Sequence, residues 1–73
     1  METKDPAANP AKFPIIAFFK HDHLPQKLSE IARPYAQLAH KMIAQETSHP
    51  AEVAAGLRKL LEAKDCAVRA ALP

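Results

Sequence analysis

The chemistry this sequence can offer rests on a few cationic and aromatic side chains. Lys64 is the most informative. At 100° per residue it falls near the centre of a helical apolar arc, with Leu57, Leu60 and Leu61 on one side and Val68 and Ala71 on the other. An ammonium is costly to bury without a partner. Its stem can pack while the amine snorkels to water, it can pair with Glu46, or it can point into a subunit interface where a phosphate binds. Arg33 and Tyr35 flank Pro34. Arginine matches phosphate with a two-pronged donor set, and a tyrosine ring can stack on a base. The bland alternatives are a solvated face for Arg33 and core packing for Tyr35.

Other chemistries find little footing. His21 and His23 stand two apart in one segment and fall two ligands short of a metal site. Cys66 is the lone cysteine, so no internal disulfide forms, and no histidine stands at helical spacing from it to act as a base. The single glycine, Gly56, lies inside a helical pattern, which excludes a glycine-rich phosphate loop. No nucleophile–base pair or carboxylate pair can be nominated, so the sequence predicts a binding protein rather than an enzyme, without a cofactor or metal.

These residues sit on elements that the spacing defines. Residues 1–14 carry Pro6, Pro10 and Pro14 among small and polar residues, and read as a flexible arm ahead of a domain spanning 15–73. The run Ile15-Ile16-Ala17-Phe18-Phe19 has no second strand to pair with. It is expected as an extended anchor on a helix pair, with a short helical turn as the alternative. Pro25 at the first helical position opens a helix with Leu28, Ile31, Tyr35, Leu38 and Met42 along one stripe and Ala32, Ala39 and Ile43 beside it. Pro34 breaks the rule for helix interiors. Because the stripe runs through it, one kinked helix is expected rather than two. Pro50, with Ser48 or His49 as cap, opens a second helix to about Ala71. Its arc holds Val53, Leu57, Leu60, Leu61, Val68 and Leu72, and an Asp65–Arg69 ion pair is expected on its polar side. The fold class is therefore all-α: an antiparallel helical hairpin preceded by an extended or short-helical arm.

The composition says what this fold lacks. The chain has 73 residues and is 48% hydrophobic, but much of that share is alanine, with no tryptophan, one tyrosine and three phenylalanines. Domains of this size need a disulfide, a metal or oligomerisation for support. With the first two unavailable, a homo-oligomer is expected. The net charge of +2 suits a small anionic ligand and falls well short of a nonspecific duplex binder. No apolar run nears the ~18 residues of a membrane helix, and a lone thiol fits a cytoplasmic protein.

The opening Phe19-Lys20-His21-Asp22-His23-Leu24-Pro25 and the closing segment from Ala55 to Leu72, above all LRKLLEAKDCAVRAAL, make a more specific pattern. Over roughly residues 18–72 the chain resembles the helical-hairpin phage anti-defence sponges, the anti-CBASS and anti-Thoeris proteins. The resemblance implies a small homo-oligomer, typically a hexamer, acting in the cytoplasm of an infected bacterial cell. It would bind cyclic di- or trinucleotide or cyclic ADP-ribose-type immune signals and hold them without cleaving them. It would engage neither membrane nor duplex nucleic acid. An aromatic position ahead of the first helix falls on Phe19 or near His21, the first-helix cation on Arg33, and the second-helix cation on Lys64 or Arg69. The ligand-binding candidates are thus Phe19, His21, His23, Arg33, Tyr35, Lys64 and Arg69. The competing reading is an oligomeric helical protein-interaction module with no ligand.

Overall fold

A computed structural model describes residues 13–73. Among these residues all regular structure is helical: a 3₁₀ helix over Pro14–Phe19, α1 over Gln26–Ala44 and α2 over Pro50–Ala70. The two long helices pack together, and the 3₁₀ helix packs on both.

The expected extended anchor is instead this 3₁₀ helix. Pro14 supplies a preset φ at its first position, and the Ile16 N–H bonds the Phe13 carbonyl at 3.0 Å. A 3₁₀ helix has three residues per turn, so side chains three apart stack in one row. That row is Phe13, Ile16 and Phe19, and all three are buried. An extended strand would have sent Ile16 and Phe19 to opposite faces. The turn also carries Phe18 outward, where 66% of it is exposed. Phe13 already belongs to the core, while residues 1–12 of the expected arm lie outside the described residues.

The chain turns at residues 20–25, with the Leu24 N–H bonding the His21 carbonyl. Pro25 serves as the N-cap of α1 rather than as its first residue, and its carbonyl accepts from the Ser29 N–H at 2.8 Å. The helix runs without interruption through Pro34 to Ala44. After the connection at 45–49, His49 caps α2 with Pro50 first inside it. No side chain caps the helix; the His49 carbonyl accepts from the Glu52 and Val53 N–H groups, and Thr47 Oγ1 from the His49 N–H.

The buried face of α1 is not the stripe of large residues. Ala32, Ala36, Ala39 and Ile43 are buried, whereas Tyr35 and Met42 pack at the margin and Leu38 is 47% exposed. Small side chains let the 3₁₀ helix and α2 come close, and the large residues fill the sides. Gly56 follows the same logic on α2, where a Cβ would lie 3.0 Å from Met42 Cε. The core joins Ala36, Ala39 and Ile43 of this row to Phe13, Ile16, Phe19 and Leu57, with Val53, Leu60 and Leu61 packed around it. Burying Phe19 and Leu57, both essentially sealed from water, contributes about 1.5–3 kcal/mol each. Leu72, expected on the same arc, is 52% exposed past the end of α2.

Candidate functional site

The 3₁₀ helix lies as a ridge between two grooves, and the candidate side chains divide between them. On the α1 side, Ile16, Phe19 and Ala36 form an apolar floor, and Lys20, His21, Arg33 and His40 stand around it with Asp22 and Gln37. On the α2 side, Phe18, Leu24 and Val68 supply the apolar surface, with Lys20, His23, Lys64, Asp65 and Arg69 around them. Lys20 ends the ridge and lines both grooves.

Lys64 is buried, at 8% exposure, and does not pair with Glu46. Its Nζ donates to the Phe18 carbonyl at 3.0 Å and pairs with Asp65 at 3.1 Å. The carbonyl belongs to the last turn of the 3₁₀ helix, where backbone acceptors lack an intrahelical partner. The ammonium thus fastens the short helix to α2 over a sequence separation of 46. Glu46 is exposed in the connection and plays no part. The expected Asp65–Arg69 pair is also replaced. Asp65 turns to Lys64, and the Arg69 guanidinium donates to Cys66 Sγ at 3.4 Å.

On the α1 side Arg33 is less committed. Arg33 is exposed, and its guanidinium holds no hydrogen bond or ion pair among the described residues. Arg33, Gln37 and His40 are spaced four and three along α1, which puts them in one row beside the floor. His21 is half-buried, with Nδ1 2.8 Å from Ser29 Oγ, and this contact ties the 20–25 turn to the first turns of α1. Ser29 lines neither groove.

The remaining candidates are not brought together. Phe19 is only 1% exposed, so its ring is core and has little surface left for stacking. Tyr35 packs against the core and lines neither groove, because adjacent helix positions beyond Pro34 point to different sides. His21 and His23 diverge, one to each groove. Among the described residues no three His, Cys, Asp or Glu side chains converge on a point where a metal ion would sit. Lys20, Gln37 and His40 line the grooves but are not among the candidates; the sequence places Gln37 and His40 only on the polar face that also carries Arg33. The four–three spacing from Arg33 gives the shared face of those two, whereas Lys20 needed the position of the ridge.

No family model matches this chain, and no curated protein or solved structure shows significant similarity to it. Among the described residues no helix is long and apolar enough to cross a membrane.

Proposed function

We propose that this protein is a sequestering binder of a nucleotide-type anion, a cyclic di- or trinucleotide or cyclic ADP-ribose-type immune signal, working as a homo-oligomer in the manner of the phage anti-defence sponges it resembles. The observation that supports this most is the α1-side groove, where an uncommitted Arg33 and Lys20 stand over an apolar floor. An apolar surface for a base beside a guanidinium for a phosphate is the pairing such a ligand needs. The groove lies between the 3₁₀ helix and α1 and is open above, so a neighbouring copy would cover it. The alternative is a ligand-free interaction module. The exposure of Phe18 beside an apolar groove along α2 favours it.

Calorimetry against cyclic dinucleotides, cyclic trinucleotides and cyclic ADP-ribose isomers separates the two. One of these is expected to bind at micromolar concentration or tighter and to be recovered intact. Arg33→Ala is expected to weaken that binding about tenfold or more, the size of one charge-assisted contact. Heat signals absent for all of them would leave the interaction-module reading.

A further inference from the structure

Helix α2 carries two seams; the fold covers one and leaves the other exposed to half-buried, with Leu61 touching the core from its inner side. The inner seam, Val53, Leu57, Leu60 and Lys64, faces the core and the 3₁₀ helix. The outer one starts at Ala51 and steps by three and four through Ala54, Arg58, Leu61 and Asp65 to Val68, with Leu72 just past the helix end. That alternation is the spacing of a helix-packing stripe. The outer seam runs along an open groove of about 1010 Å³ lined by Ala51, Ala54, Arg58 and Leu61, and continues past Asp65 and Val68. Phe18 borders both stretches, and an exposed aromatic beside an apolar groove marks a docking surface.

The order of residues along the seam says what docks there. Its N-terminal end is small (Ala51, Ala54), its C-terminal end is larger (Val68, Leu72), and its two charges, Arg58 and Asp65, lie on either side of Leu61. We infer that this seam binds the same seam of a second copy, antiparallel, about a two-fold axis near Leu61. In that arrangement each small end receives the other copy's large end. Each Arg58 lies within about one helical turn of the other copy's Asp65, and the contact occurs twice, as an isologous interface requires. Parallel pairing would instead set Arg58 beside Arg58, Asp65 beside Asp65, and large residues against large. A helix from an unrelated protein has no reason to match this reversed order. Phe18 of each copy then packs beside the central leucines, and Asp65 is shared between Lys64 of its own chain and Arg58 of the other.

This inference rests on the self-association in the proposed function and not on its ligand, so it is tested on the full chain without any nucleotide. Sedimentation velocity over a concentration series should show a dimer or a multiple of one. Arg58→Asp sets like charges together twice and is expected to weaken association by about tenfold or more. Ala54→Glu, a change at the exposed groove floor, should do the same by filling the small end. Circular dichroism should show native helix content in both variants. The double change Arg58→Asp with Asp65→Arg restores opposite charges and should recover most of the lost association. A chain that stays monomeric throughout would overturn both the seam and the self-association, while leaving the calorimetric test of the ligand standing. An oligomer that neither single change weakens, or a double change no better than Arg58→Asp alone, would overturn the seam itself.

Discussion

The two grooves beside the 3₁₀ helix hold similar side chains and use them differently. On the α2 side, Lys64 and Asp65 are already engaged, with the Phe18 carbonyl and with each other, and Arg69 meets Cys66. On the α1 side, Arg33 is exposed, lines the groove with Ile16, Phe19 and Ala36, and holds no hydrogen bond or ion pair among the described residues. Burial makes the difference. An ammonium enclosed between two elements must find acceptors at once or be expelled. A guanidinium on an exposed helix face is satisfied by water and stays available for an incoming anion. Cations therefore mark a structural tie on one side of the ridge and a candidate ligand site on the other.

Substitutions can break this contrast. The largest effect is expected where the two sides share their floor. Phe19→Ala empties the core row and should cost about 3–5 kcal/mol, enough to abolish cooperative thermal unfolding in a chain this small. A Phe19 that served only for ligand stacking would leave the melting curve unchanged. Next, Lys64→Ala should lower stability by about 1–3 kcal/mol in denaturant titration, because the Phe18 carbonyl loses its donor and the lysine stem leaves a gap. Arg33→Ala should stay within about 0.5 kcal/mol of wild type in the same titration. Equal losses from the two would erase the distinction between tie and site. An effect between those two belongs to the turn between the grooves. Ser29→Ala should cost about 0.5–1.5 kcal/mol and release His21, which would show as a changed imidazole chemical shift in NMR spectra.

Much of this architecture is legible in the residue order, for identifiable reasons. The three–four spacing from Leu28 to Ile43 and from Val53 to Leu61 gives two helices, and Pro25 and Pro50 place their starts to within a residue. Pro34 does not stop α1, because the apolar spacing continues on both sides of it. The centre of the α1 face was harder to see. Size-weighted reading favours Leu38 and Tyr35, but the position closest to a neighbour must be small, so Ala36 and Ala39 hold the core and Leu38 lies in water. The candidate site was legible in part. The cationic positions Arg33 and Lys64 stand out from their spacing alone, while their opposite uses do not.

What the sequence determined by itself was the helical class, the two long helices and the set of groups able to meet an anion, because periodicity and proline are local properties of the chain. What only the tertiary structure decided was the 3₁₀ form of residues 14–19 and everything that follows from its placement. A short apolar run can be extended or helical on local grounds, and here the row of Phe13, Ile16 and Phe19 packs against the α1 alanines and Leu57 only when it turns every three residues. That turn puts the Phe18 carbonyl over Lys64, divides the cations between two grooves and leaves Phe18 beside the outer seam of α2. Contacts 46 residues apart in sequence are set by how three elements fill one another's space, which no local pattern encodes.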